Sequence, residues 1–176
     1  KMVIAHAQNT GPGGKSQILG TGAKGVHPPS AALAHGAMTH AFELDNLTNP
    51  DSGCHPGAAA FSAGLAMGQD RALSGRDLIT GMTAGAEVMI RIGLAAKGTL
   101  EPRGFHAPGT TGPFGGAVTV GRMLNFDTAK MTNALGIANS MIIGGHLVDI
   151  SPLSTIGALC IAGAKAEETT PLFNKL

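Results

Sequence analysis

The chain has 176 residues, 43% of them apolar, enough for the core of one ordinary domain and too many for wholesale disorder. With 12 basic and 11 acidic residues its net charge is +1, which excludes the electrostatic footprint of a nucleic-acid binder. Aromatics make up 3%, Trp and Tyr are absent and glycines number 27, a composition that favours closely packed helices over a sheet of β-branched and aromatic residues.

Residues 1–29 form a Gly-rich N-terminal segment, in which "SQIL" reads as one short strand or an extended piece between turns. "GTGAKG", Gly20 to Gly25, lacks phosphate-loop spacing and is not followed at once by a helix, so it reads as turns. Helical patterning begins at Ser30, a plausible N-cap, with Leu33, Ala37, Ala41 and Leu44 at near-helical spacing. The polar stretch "DNLTNPDSGC" ends that helix, and Pro56 suits the first position of the next. "SGRD" reads as a capping box, Ser74 at the cap and Asp77 three residues on. Behind it Leu78, Ile79, Met82, Ala86, Met89 and Ile90 share one stripe, predicted to face the core. Pro113 is expected to open a further helix to about Leu124. Asp127 is expected to cap the next, with Met131, Leu135, Ala138 and Met141 inward. No period-two alternation is sustained, so the expected fold class is all-α. The residues divide into the N-terminal segment 1–29, a helical domain over 30–141 and a divergent C-terminal segment over 142–176.

Cys54 and Cys160 lie far apart without a CxxC pattern, against a disulfide framework and against a zinc knuckle. No signal peptide opens the chain, and the longest mainly apolar run, Leu153 to Ala164, is too short to span a bilayer. A cytoplasmic protein without membrane association is the expectation.

Two stretches carry candidate chemistry. In "RGFHAPGTTGPFGG", Arg103 to Gly116, a helix starting near Pro113 would present free backbone N–H groups and the positive end of its dipole. Thr110, Thr111 and the unhindered backbone of Gly109 and Gly112 would let an anion sit there, with His106 placed to move protons to or from a bound carboxylate. The bland alternative is a connecting loop with a solvated histidine. In "HAFELDNLTNPDSGCHPG", Glu43 and Asp45 fall at a helix end and His55 precedes the next helix, raw material for acid–base work or plain helix-end polarity. His35 and His40 are five apart, point in different directions on a helix and match no HExxH, so no metal site is expected. His40 lies one turn before Glu43 and either reaches the same pocket or packs between helices.

Taken together, "LGTG", "SAALAHGAMTHAFELDN", "HPGAAAFSAGLAMG", "SGRDLITGMTAGAEVMIRIG", "RGFHAPGTTGPFGGAVTVGRMLNFD" and "MTNALGIANSM" resemble, in order, the MmgE/PrpD family, over roughly Ile18 to Met141. The resemblance implies a large helical domain, joined in full-length members to a smaller lid domain and usually forming a homodimer. It implies lyase or epimerase chemistry on small di- and tricarboxylates, of the 2-methylcitrate dehydratase kind, by proton transfer next to a carboxylate. It implies no metal or organic cofactor. By motif, His55 and His106 match the family's active-site histidines, Glu43 stands at an acidic position often occupied by Asp, and Asp45 is the next acidic residue. Gly109, Thr110, Thr111 and Gly112 would hold a substrate carboxylate. Thr48 would replace, one residue on, a family threonine whose place Leu47 takes.

Two departures are evident. The family's "K…LH" block is absent after Met141, where the sequence looks more like part of a dicarboxylate carrier's membrane domain, and the lid domain is missing. The alternative to a lyase is therefore a non-catalytic helical remnant, serving as a carboxylate-binding or dimerisation module.

Overall fold

The computed structural model describes residues 1–50 and 52–141; the expectations for 142–176, and Cys160 with them, lie outside the described residues. In chain order the elements are α1 (Met2–Thr10), a hairpin of β1 (Pro12–Ile18) and β2 (Ala23–Val26), and α2 (Pro28–His40). A wide helical turn (Gly57–Phe61) then leads into α3 (Ser62–Arg71), followed by α4 (Gly75–Ala95), a tight turn (Glu101–Arg103), α5 (Ala107–Met123) and α6 (Thr128–Ser140). The scaffold is mainly helical.

Strictly all-α it is not, because β1 and β2 pair antiparallel. The hairpin escaped the sequence pattern because β1 reads "PGGKSQI" and turns only Ser16 and Ile18 into the core. Its hold is tertiary. Ser16 Oγ donates to the Ala66 carbonyl (2.8 Å), while the Lys15 and Gln17 N–H groups donate to Asp70 Oδ1 (3.0 Å) and Gln69 Oε1 (2.9 Å) at the end of α3. His35 ties the hairpin to α2 by accepting the Leu19 N–H at Nε2 (3.1 Å).

Several helix ends obey the local chemistry. Ser74 and Asp77 close a reciprocal capping box on α4, Asp127 Oδ1 accepts the Lys130 N–H (2.8 Å) at the start of α6, and helix resumes at Pro56. Others shift. α2 starts at Pro28, with His27 extended before it, because two prolines preset the first turn better than a serine cap at Ser30. α5 starts at Ala107, six residues before Pro113, which lies inside the helix. Pro108 supplies the first-turn proline instead.

The main core joins Ile18 and Val26 of the hairpin to Ala31, Ala34, Ala66 and Val120 of α2, α3 and α5. The α4–α5 contact is built differently. Gly81, Gly85, Met89 and Gly93, every fourth residue, are the buried face of α4. A Cβ at Gly85 would collide with Thr119 Oγ1 and stand 2.5 Å from the Gly115 carbonyl; one at Gly81 would stand 2.7 Å from the Thr119 carbonyl. The larger apolar stripe expected to face inward flanks this seam and is mostly half-buried, with Ile79 67% exposed. Periodicity detects large side chains, whereas this contact is decided by their absence. In α6, likewise, Ala134 and Ala138 are buried while Met131 and Leu135 are half-buried and Met141 is exposed. α4 is also the one described helix long and apolar enough to cross a membrane by length and composition.

Gly85→Ala is expected to destabilise the fold by about 1–3 kcal/mol through overpacking, lowering the thermal midpoint by several degrees. Gly75→Ala, with nothing within 4 Å of the added carbon, is expected to change little. Equal midpoints for the two variants would show that the seam is not close-packed.

Burial lowers the His35 pKa from its ordinary 6.5. The unfolded chain then takes up the proton first, so this contribution to stability is complete above pH 6.5 and is lost as pH falls from there through the lowered native value. Urea unfolding across pH is expected to show a shallower loss of stability below pH 6.5 in His35→Gln than in the native chain.

Candidate functional site

α2 ends at His40, and the chain then turns sharply enough to put Glu43 in the left-handed region (φ 53°). A non-glycine residue there is strained by roughly 1–2 kcal/mol. The turn delivers Asp45 under the end of α2, where its side chain is buried. Beyond it, Thr48 pairs with Cys54 (Thr48 N–H to Cys54 carbonyl, 3.0 Å), and Ser52 Oγ donates to the Thr48 carbonyl (3.0 Å). This closed loop brings His55 back to Asp45.

The result is two imidazoles between two carboxylates. Asp45 Oδ1 lies 3.0 Å from His40 Nδ1, and Asp45 Oδ2 lies 3.3 Å from His55 Nδ1. On the other side Glu43 Oε1 lies 3.0 Å from His40 Nε2, and Oε2 lies 3.9 Å from His55 Nε2. The His40–Glu43 approach is an ion-pair contact without hydrogen-bond alignment, so His40 Nε2 has no hydrogen-bond partner among the described residues. The rings of His40 and His55 meet edge to face at 4.6 Å, and His106 lies beyond, its ring centroid 6.4 Å from that of His40. Asp45, His40 and His55 are nearly closed off from solvent, whereas the Glu43 side chain is 66% exposed. Glu43 therefore marks the open side of the cluster.

His106 is the N-cap residue of α5, extended (φ −83°, ψ 119°), and its side chain makes no capping bond. Its Nδ1 is buried without a hydrogen-bond partner among the described residues, which leaves Nε2 as the nitrogen able to meet a ligand. The α5 start differs from the anion cradle anticipated around Pro113. Gly109, Thr111 and Gly112 are buried inside the helix. The Thr111 hydroxyl donates to the Ala107 carbonyl (2.7 Å) and lies 3.4 Å from Cys54 Sγ, and the Thr110 hydroxyl donates to the His106 carbonyl (3.0 Å). At the true N-terminus Glu101 Oε1 accepts the Ala107 N–H (3.3 Å), so an internal carboxylate already sits there. Thr48 is half-buried and spends its N–H on Cys54.

The structure thus gathers Glu43, Asp45, His55 and His106, and adds His40, which the sequence had left between pocket and packing. Cys54 is a free, buried thiol whose Sγ donates to the Ser52 carbonyl (3.3 Å), beneath the α4 seam. One donor atom from each of His40, Asp45 and His55 falls within 4.8 Å of the others, a set able to ligate a divalent cation. Spacing on one helix could not reveal it, since the partner ligands come from the following loop.

Histidines and carboxylates collected at facing helix ends of a mainly α scaffold define a candidate acid–base site. The sequence matches the MmgE/PrpD N-terminal domain over residues 1–169. The chain belongs to the MmgE/PrpD family. It is 32% identical over 139 residues to the cis-aconitate decarboxylase of Aspergillus terreus, and equally to that of Aspergillus terreus strain NIH 2624 / FGSC A1156. Each alignment covers 76% of this chain but 28% of the relative, so the chain spans well under half the length of these proteins. The family match continues past Met141, through most of the segment that the sequence reading had set apart.

Glu43→Gly relieves the left-handed strain, and its midpoint is expected at or above the native one, by about 1 kcal/mol. Glu43→Ala keeps the strain and is expected to gain nothing. Thermal denaturation of the pair beside the native chain checks this, and a Glu43→Gly chain clearly less stable than the native one would show that the carboxylate contacts outweigh the strain.

Proposed function

We propose that this chain carries the proton-transfer half of a lyase site acting on a small di- or tricarboxylate, with His106 and His55 as the proton-moving groups. The observation that carries the reading is the cluster of His40, His55, Glu43 and Asp45, with the His106 ring centroid 6.4 Å from that of His40. Family membership supports the same chemistry.

Removing a proton next to a carboxylate needs a base at hydrogen-bond reach and neutralisation of the charge that develops on the carboxylate. In a dehydration His106 takes the proton next to the carboxylate, and His55, beside Glu43, gives one to the departing hydroxide, which leaves as water. In a decarboxylation the departing carbon dioxide leaves its electron pair on carbon, and His106 or His55 returns a proton there. Thr111 and Gly112 play no part in this reading, because they are buried within α5, whereas Gly109, the third residue of that helix, keeps a first-turn N–H able to contribute. Thr110 and Thr48, both half-buried, remain at its margin. The relative is a cis-aconitate decarboxylase, which makes that tricarboxylate the first substrate to try.

A ligand that binds only the folded chain raises the unfolding midpoint, by about 2.7 kcal/mol at a hundredfold excess over Kd. Thermal unfolding with cis-aconitate, 2-methylcitrate, citrate and malate is expected to show such a shift for one of them, reduced at least tenfold in affinity in His106→Gln. The substitution leaves α5 intact because His106 makes no side-chain cap. A cooperatively folding chain that none of the four stabilises would overturn the reading. Stabilisation without turnover would favour a carboxylate-binding module.

A further inference from the structure

We propose that Asp45 and His40 are positioning residues that lock His55 into its Nδ1–H tautomer, so that Nε2 is the proton-accepting nitrogen of that residue. The proposal deepens the proton-transfer reading and rests on it for its purpose, but its physical content stands on proton counting alone.

Asp45 has two carboxylate oxygens, and each faces one imidazole Nδ1, at 3.0 Å for His40 and 3.3 Å for His55. A buried carboxylate in this position is stabilised only if both contacts are N–H donors, since a nitrogen lone pair facing either oxygen would be repelled. Both rings therefore carry a proton on Nδ1. In the neutral form of either ring Nε2 is then unprotonated. The two Nε2 atoms point to the Glu43 side, but their fates differ. His40 Nε2 lies buried 3.0 Å from Glu43 Oε1, a contact that favours a proton there as well, so for His40 only the Nδ1–H is assigned. His55 Nε2 stands 3.9 Å from Glu43 Oε2, too far for a direct hydrogen bond, beside a carboxylate that is largely in solvent.

His40 is thus the static member and His55 the working one. His40 occupies the first oxygen of Asp45 and leaves the second for His55, fixing the carboxylate's rotation and with it the His55 ring. His106, the other titratable group near His40, approaches with its ring centroid at 6.4 Å and does not contact Asp45 in any recorded hydrogen bond or ion pair.

The test is a long-range proton–nitrogen NMR spectrum of the imidazoles in the intact chain, at about pH 8, above the ordinary histidine pKa. His55 is assigned by its loss in His55→Gln. The expected result is a pyrrole-type Nδ1 for both His40 and His55 and an imine-type Nε2 for His55, with the Nδ1–H form of His55 favoured by about tenfold or more. Asp45→Asn replaces one acceptor by a donor, so one of the two rings is expected to switch to the Nε2–H tautomer. A native chain whose His55 is mainly Nε2–H overturns the proposal whether or not Asp45→Asn folds. So does a stoichiometric shift of both Nδ1 signals on adding one equivalent of Zn²⁺, which would give the cluster to a cation. Because neither substrate nor turnover enters the readout, a confirmed tautomer with no carboxylate binding would leave this inference standing and remove only the lyase reading.

Discussion

The seam between α4 and α5 is the constraint on which the rest depends. Two glycines one turn apart on α4, Gly81 and Gly85, let its backbone lie against Gly115 and Thr119 of α5 at a separation no larger residue permits. The same stripe ends at Gly93, where an added Cβ would stand 2.5 Å from Cys54 Sγ and 2.9 Å from the Ser52 carbonyl. The loop that carries His55 is therefore wedged against the end of α4, while α5, whose first residues carry His106, is clamped along its length. Close packing thus holds the loop that carries His55 and the helix that carries His106 against one element, α4.

Around that fixed frame the polar groups are arranged by burial. Asp45 is closed in and takes two imidazoles, while Glu43, a few residues away in sequence, stays in solvent at a strained backbone position. Two carboxylates on one short turn thus receive opposite environments, the usual condition for giving neighbouring groups separate tasks. The thiol of Cys54 and the hydroxyl of Thr111 lie 3.4 Å apart beneath the site and donate to the Ser52 and Ala107 carbonyls, so this supporting layer is held by hydrogen bonds. Glu101, by neutralising the start of α5, removes the anion site that a Gly/Thr-rich helix start would otherwise provide.

Much of the local structure was legible in the residues. Capping by Ser74 and Asp127 and the restart at Pro56 follow from chemistry within one helical turn, and they stand as read. The nearness of Glu43 and Asp45 to His55 was legible too, as carboxylates and an imidazole at facing helix ends. What misled was any inference that treated large apolar residues or prolines as decisive. Pro113 looked like a helix start, yet Pro108 and the extended His106 begin the helix earlier and Pro113 is absorbed inside it. The Leu78–Ile90 stripe looked like the core face, yet small residues won the contact.

The sequence by itself determined the helical character, several of the caps and the family, because these depend on neighbours a few residues apart or on motif order. Only the tertiary structure decided that β1 is a strand, that His40 joins the cluster, and that Thr111, Gly109 and Gly112 are buried within α5. Each of those outcomes turns on a partner far along the chain: Ala66 and Asp70 for the hairpin, Cys54 for Thr111. For His40 it turns on the fold of the loop that follows, which lays Asp45 and His55 against its ring. A hydrogen bond or a close backbone approach made across such separations leaves no periodic trace in the residues that make it.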